Sequence, residues 1–151
     1  MGKRVLRPGG IDLTRRLLGS LQISSADRVV ELGPGIGRTA QLVLDGGYAT
    51  YTGVDPNEDA RRQIAAVLAG HHDAAVREGD ARANGLPDGS ADVVIGESLL
   101  TLAPELATKL AQDAADEGWS VREVERRVDR AGLFWIREAD GGEARVGLFL
   151  R

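Results

Sequence analysis

The stretch Val29-Val30-Glu31-Leu32-Gly33-Pro34-Gly35-Ile36-Gly37-Arg38 decides how this chain is interpreted. It has the form of a short apolar strand that carries an acid, followed by three glycines at alternate positions and the start of a helix. Alternate glycines let the backbone turn sharply and leave no Cβ atom between it and a ligand. The helix that follows points its unpaired N–H groups at whatever occupies the turn. The pattern therefore predicts a strand–turn–helix that holds a nucleotide-like cofactor.

The spacing of the glycines narrows the kind of cofactor. A dinucleotide fingerprint requires Gly-x-Gly-x-x-Gly, and counted from Gly33 its third glycine falls on Arg38. The spacing here is Glu-x-Gly-x-Gly-x-Gly, with Glu31 two residues before the first glycine. A carboxylate at the turn disfavours a pyrophosphate and favours a cofactor that carries an ammonium group. The motif resembles the first motif of class I S-adenosylmethionine-dependent methyltransferases; a nicotinamide dehydrogenase fragment is the weaker alternative.

Composition limits the classes of function. A chain of 151 residues, 42% of them hydrophobic, predicts one domain with its own core. The net charge of −4 gives no general attraction to nucleic acid or to an anionic membrane. Since the chain has no cysteine, disulfides, thiolate metal sites and cysteine nucleophiles are excluded, and no zinc or calcium ligand pattern is present. Without a membrane-spanning run or a signal peptide, we expect a soluble, cytoplasmic protein.

Apolar runs and turn residues alternate along the chain, which predicts an α/β fold of the Rossmann-like, three-layer type with a mainly parallel sheet. Four strands are expected, at Arg28 to Leu32, Tyr51 to Val54, Ala75 to Glu78 and Asp92 to Gly96. Helices are expected after Gly10, from Gly37 to Leu44, from Pro56 to Gly70, from Pro104 to Gly118, and after a capping box that begins at Ser120. An antiparallel hairpin is expected last, with strands Leu133 to Ile136 and Val146 to Leu150 around Asp140-Gly141-Gly142.

Acidic residues follow three of these strands, where ligands bind to doubly wound sheets. Asp55 is placed to accept hydrogen bonds from a ribose diol, although an acid before Pro56-Asn57 also suits a helix cap. Asp80, with Ala81 beside it, can meet an adenine edge. Glu97 faces the reacting end of the cofactor and is the candidate catalytic residue, with a solvated strand end as its alternative. The segment from Leu86 to Val94 resembles the approach to the fourth methyltransferase motif.

The family resemblance covers Arg28 to Leu102 and extends to the N-terminus. The segment Leu6 to Thr14 is similar to the opening of many small bacterial methyltransferases, and it implies that Thr14 contacts the methionine end of S-adenosylmethionine. Within the same resemblance we assign Pro34, Gly35, Gly37 and Pro56 to the cofactor site.

We expect a single domain with an N-terminal helical cap (1–22), a cofactor-binding core (28–102) and a shortened C-terminal part (103–151). The usual strand–helix unit after the fourth strand is missing or remodelled, so the fold is shortened relative to the seven-stranded methyltransferase fold. A small-molecule acceptor is expected, and a cofactor-binding protein that does not methylate is the alternative. An exposed sheet edge favours a homodimer.

Other charged and aromatic residues are expected away from the site. Arg61 and Arg62 lie in a predicted helix and are interpreted as part of a solvated face. Tyr48, His71 and His72 precede strands rather than follow them, which predicts that they lie at the opposite edge of the sheet.

Overall fold

The computed structural model describes residues 10–97, 120–127, 130–139 and 142–150. Within these ranges the chain forms three helices: Gly10–Leu21 (α1), Arg38–Gly46 (α2) and Glu58–Leu68 (α3). The first four strands are Arg28–Leu32 (β1), Thr50–Val54 (β2), Ala74–Arg77 (β3) and Val93–Glu97 (β4). The remaining strands are Ser120–Arg127 (β5), Arg130–Ala139 (β6) and Gly142–Leu150 (β7). None of the helices in these ranges is long and apolar enough to cross a membrane.

The strands form one seven-stranded sheet in the order β3-β2-β1-β4-β7-β6-β5. The pairs β1–β2, β1–β4, β2–β3 and β4–β7 are parallel. The strand order reverses at β1, with β2 on one side and β4 on the other, which is the place where doubly wound sheets bind ligands. The turn after β1 therefore lies at the switch point of the sheet.

Two elements after β4 depart from expectation. The capping box at Ser120 predicted a helix, and that prediction is wrong, because Ser120–Arg127 is strand β5 and pairs with β6. The β-branched residues Val121 and Val124 favour a strand, and pairing with β6 overrides the local capping signal. The sheet consequently has seven strands where we counted six, and β7 rather than a strand directly following β4 lies beside β4.

Strands β6 and β7 pair in antiparallel register from Ala131 opposite Leu150 to Ala139 opposite Gly142. Several expected features lie outside the described residues: the helix from Pro104 to Gly118, the start of the N-terminal segment, and the turn residues 140–141.

The core lies on one face of the sheet, under all three helices. Its two residues on β4, Val93 and Ile95, are two positions apart, as one face of a sheet requires. Side chains below 10% exposure form this cluster: Leu17, Leu21, Val29, Ala40, Val43, Leu44, Tyr51, Ile64, Leu68, Val93 and Ile95. Each fully buried aliphatic side chain of this kind contributes about 1.5–3 kcal/mol. The cluster therefore holds α1, α2 and α3 against the strands that carry the site.

Candidate cofactor site

The glycine turn has the backbone conformation that only glycine adopts without strain. Gly33, Gly35 and Gly37 have φ angles of +66°, +55° and +77°, all in the left-handed region that side chains disfavour. The Gly33 N–H donates to the carbonyl of Val54 at 2.8 Å, which ties the start of the turn to the end of β2. The Gly37 N–H donates to the carbonyl of Pro34 at 2.9 Å and closes the turn.

Gly35 and Gly37 have different structural roles. A Cβ atom at Gly35 would meet nothing within 4 Å, so this glycine faces open space. A Cβ atom at Gly37 would lie 3.1 Å from Val67 Cγ2 and 3.2 Å from Ile64 Cγ1, both on α3. Gly37 therefore allows α2 and α3 to approach each other, while Gly35 leaves room for a ligand. Because Gly37 is also the N-cap of α2, that helix begins without a side-chain cap.

The acid of the motif is buried. Glu31 is 2% exposed and its Oε2 accepts a hydrogen bond of 2.6 Å from the hydroxyl of Tyr51, which is 1% exposed. Burial and the neighbouring Glu31 raise the pKa of Tyr51 far above its ordinary value, so the phenol stays protonated and donates. Our sequence interpretation placed Tyr51 in a strand and gave it no role at the site.

Asp55 closes the turn from the β2 side. It is 7% exposed, and its Oδ2 accepts the N–H of Gly35 at 3.3 Å while its Oδ1 accepts the N–H of Asn57 at 2.8 Å. The cap of α3 is Asn57, whose side chain accepts from Ala60 N–H at 3.0 Å. The helix-cap alternative for Asp55 is therefore wrong, and its carboxylate lies directly against the glycine turn. Pro56, the next residue, is exposed.

Arg61 is not part of a solvated face, which corrects our expectation. Its side chain is 19% exposed, its Nη1 donates to the carbonyl of Asp55 at 2.9 Å, and its Nη2 lies 3.3 Å from Glu78 Oε2. It links the ends of β2 and β3 because its guanidinium group has several donors in a fixed plane. Arg62, by contrast, is 67% exposed and pairs with Glu58 and Asp59 of its own helix.

Asp80 lies three residues beyond β3 and is engaged by a neighbour. Its carboxylate accepts from the backbone N–H of Arg82 at 2.9 Å and from the guanidinium at 2.8 and 2.9 Å. The hydrogen bonds from the Arg82 side chain, followed by those from its backbone, hold the pKa of Asp80 well below its ordinary value. Ala81, between them, is half-buried. An adenine amino group at Asp80 would therefore share the carboxylate with Arg82.

The remaining residues of the expected site lie on separate elements. Thr14 is 1% exposed on α1, which packs against α2, and Pro34 is buried within the turn. Glu97 is the last residue of β4 and lies opposite Phe149 of β7 in the register.

Tyr48 and His71 are joined by a hydrogen bond. The Tyr48 hydroxyl lies 3.1 Å from His71 Nδ1, and the two residues precede β2 and β3 respectively. They therefore lie at the amino edge of the sheet, opposite the glycine turn.

Comparison with solved structures supports the fold. The YcgJ protein of Bacillus subtilis superposes with a TM-score of 0.63 over 85% of this chain and 73% of that one, at 11% identity. A dimethyladenosine transferase of Plasmodium falciparum gives 0.57 over 72% of this chain and 38% of its own, at 22% identity. A phosphoethanolamine N-methyltransferase of Haemonchus contortus, solved with phosphoethanolamine and S-adenosylhomocysteine, gives 0.50 over 55% and 18%, at 23% identity.

Curated relatives match over a much shorter stretch. The probable chromosome-partitioning protein ParB of Xylella fastidiosa is 73% identical over 33 residues in strain 9a5c and 70% identical in strain Temecula1. That stretch is 22% of this chain and 11% of ParB, so the chain spans about a ninth of these relatives.

A family model described as a methyltransferase domain matches residues 29–116. The match takes in the glycine turn, β2, β3 and β4, and it covers more than half of the chain. Its described part, residues 29–97, contains the parallel strands β1 to β4 and the helices α2 and α3. The protein therefore belongs to the methyltransferase-domain family, within the class I S-adenosylmethionine-dependent methyltransferases.

Proposed function

We propose that the protein binds S-adenosylmethionine at the glycine turn and transfers its methyl group to a small-molecule acceptor. The observation that carries this proposal is the open space at Gly35 beside the buried carboxylate of Asp55, whose Oδ2 lies 3.3 Å from the Gly35 nitrogen. This arrangement fits the cofactor because a ribose diol offers two donors to one carboxylate. The solved relative that contains S-adenosylhomocysteine is consistent with the same class of ligand.

Different residues of the site bind different parts of the cofactor. Glu31 attracts the ammonium group, and Thr14 covers the methionine end from α1. Asp55 and Pro56 hold the ribose, with Gly33, Pro34, Gly35 and Gly37 forming the turn around it. Asp80 and Ala81 meet the adenine edge.

Methyl transfer requires little from the protein beyond the correct placement of the cofactor and the acceptor. The bound sulfonium supplies an electrophilic methyl group and a good leaving group. The chain's contribution is to hold the acceptor in line with that methyl carbon and to exclude water. Glu97, at the end of β4, accepts a proton when the acceptor has to lose one.

Isothermal titration calorimetry with S-adenosylhomocysteine tests the proposal directly. We expect binding by the wild type and a loss of affinity of about tenfold or more in Asp55→Asn, since a hydrogen bond to a charged group is lost. Asp45→Asn is the matched control, because Asp45 lies near the end of α2, where its Oδ1 accepts a hydrogen bond of 3.0 Å from Gln41 Nε2 of the same helix. Absence of wild-type binding at millimolar ligand contradicts the proposal, as does equal binding by both variants.

A second function is favoured by the strand beside β4. That position is taken by β7, the last strand of the described chain, so the acceptor side of the sheet is built differently from the cofactor side. A protein that binds the cofactor without methylating, as a partner subunit or for other chemistry, fits this arrangement. Binding of S-adenosylhomocysteine without methyl transfer to any member of a broad acceptor panel would select this function.

We further propose that the protein is cytoplasmic and forms a homodimer. The support for a dimer is β3, a four-residue strand at the edge of the sheet whose outer side has no partner strand among the described residues. Light scattering on the purified chain measures the mass, and a monomer mass at micromolar concentration contradicts the dimer.

A further inference from the structure

A buried hydrogen bond joins β1 to β2 directly beneath the glycine turn. The Tyr51 hydroxyl donates to Glu31 Oε2 at 2.6 Å, and the two side chains are 1% and 2% exposed. A charge-assisted bond of this length in a dry environment is strong. It fixes the direction of a carboxylate that lies two residues before the turn.

The register of the two strands brings these groups together. Val29 lies opposite Tyr51, and Glu31 lies opposite Gly53, so Tyr51 and Glu31 are diagonal neighbours on one face of the sheet. The hydroxyl lies beside Gly53, since a Cβ atom there would lie 3.5 Å from the Tyr51 hydroxyl oxygen, an ordinary van der Waals contact. The same Cβ atom would lie 3.2 Å from Pro34 Cγ, which places the pair close to the turn itself.

Tyr51 therefore contacts the acid and not the open side of the turn. Its ring belongs to the core cluster under the helices, which limits its movement. A hydroxyl held in this way restricts the rotation of the Glu31 side chain, because the carboxylate loses this hydrogen bond in any other orientation.

We propose that Tyr51 is a positioning residue, which holds the Glu31 carboxylate in the orientation that receives the ammonium group of the cofactor's amino-acid end. The inference rests on the proposed function and adds a specificity to it. Tyr51 sets the preference for ligands that carry the amino-acid group over adenosine thioethers that lack it.

Two ligands separate this role from general stability. S-adenosylhomocysteine carries the amino-acid group, whereas 5′-methylthioadenosine has the same adenosine and thioether without it. In Tyr51→Phe we expect affinity for S-adenosylhomocysteine to fall about tenfold, as for loss of a hydrogen bond to a charged group. Affinity for 5′-methylthioadenosine should stay within about twofold of wild type, because Asp55 and the turn are untouched.

Tyr48→Phe is the matched control. It removes a tyrosine hydroxyl that bonds His71 at the opposite edge of the sheet, and it should leave both affinities unchanged. In a Glu31→Gln background, Tyr51→Phe should have no further effect on the ratio of the two affinities, since the charge that it positions is gone. All variants are measured with trimethylamine N-oxide, which strengthens burial and keeps a weakened variant folded.

The outcomes are distinct. A selective loss for S-adenosylhomocysteine in Tyr51→Phe supports the proposal. An equal loss for both ligands, or no loss, overturns it while the proposed function stands. If wild type binds neither ligand, the proposed function fails first and takes this inference with it.

Discussion

At the residue scale, the three glycines of the turn are not equivalent. Gly35 faces open space at a φ of +55°, whereas Gly37 has a φ of +77° and packs against α3. A side chain in the left-handed region costs about 1–2 kcal/mol, and at Gly37 it must also displace Val67 or Ile64. A substitution at Gly35 is therefore expected to affect the space for the ligand, and a substitution at Gly37 to affect the packing of α2 against α3.

Alanine at each position tests this difference. We expect Gly35→Ala to lower the free energy of unfolding by about 1–2 kcal/mol and Gly37→Ala to lower it by more, as overpacking adds a further 1–3 kcal/mol or so. Gly46→Ala, at the end of α2 with nothing within 4 Å, is the control and should be neutral or stabilising. Urea denaturation measures the free energy of unfolding of the three variants. Equal midpoints for Gly35→Ala and Gly37→Ala would show that the contact between Gly37 and α3 does not contribute to stability.

Asp80 offers a prediction about pH. Hydrogen bonds from Arg82 lower its pKa in the folded protein below the ordinary value of 3.8. A depressed pKa means that the pair stabilises the fold above about pH 4 and that this contribution is lost as pH falls through the folded value. A ¹³C carboxyl titration by NMR should give a midpoint below 3.8 for Asp80, and Arg82→Gln should return it to the ordinary range. An unchanged midpoint in Arg82→Gln would contradict the assignment.

At the scale of elements, the start of α3 lies beside the site, because its N-cap Asn57 follows Asp55 by two residues. Asn57 caps it through a hydrogen bond of 3.0 Å from Ala60 N–H, and the Asn57 N–H in turn donates to Asp55. Asn57→Ala should cost about 1 kcal/mol of stability, measured by thermal unfolding, and Asn57→Asp should retain most of it because the carboxylate also caps. Affinity for S-adenosylhomocysteine should change little, since the backbone N–H to Asp55 remains; a large loss would mean that the cap itself orders the site.

Elements with strong local signals could be predicted from the sequence. The glycine turn and the strands around it have characteristic residues at fixed offsets, and β1 is found at the expected Arg28 to Leu32. Strand β5 could not be predicted in this way, because its local signals conflict: the capping box indicates a helix, whereas Val121 and Val124 favour a strand. Pairing with the next strand, β6, decides between them, and that pairing is not visible in the capping residues themselves.

The hydrogen-bond partners of the site residues were harder to predict than the site residues themselves. Glu31 and Asp55 are recognisable from their positions at strand and turn, but the bond from Tyr51 to Glu31 depends on the register between β1 and β2. The bridge from Arg61 to the carbonyl of Asp55 depends on how α3 lies on the sheet. A tyrosine two residues before a glycine, next to a strand that bears an acid, is the signal that could have revealed the first of these.

At the scale of the whole molecule, the core and the site share a side chain. Ile64 is fully buried in the core cluster, yet its Cγ1 lies 3.2 Å from the Cβ position of Gly37 and its Cδ1 lies 3.3 Å from that of Gly53. Leu68, one turn later on α3, belongs to the same cluster at 6% exposure but is not among the nearest neighbours of the Cβ position of either glycine. Substitutions at Ile64 and Leu68 can therefore distinguish a loss of core stability from a loss of support for the glycine turn.

We expect Ile64→Ala and Leu68→Ala each to lower the free energy of unfolding by about 2–5 kcal/mol, as for other large-to-small substitutions in a core. Only Ile64→Ala should also weaken S-adenosylhomocysteine binding beyond the loss of folded protein, because the cavity lies against the turn. Urea denaturation gives the folded fraction, and calorimetry at a temperature where both variants are folded gives the affinity. If the two variants bind equally well, the turn holds its shape without Ile64, and the hydrogen bonds from Gly35 N–H to Asp55 and from Gly33 N–H to Val54 are sufficient to form the site.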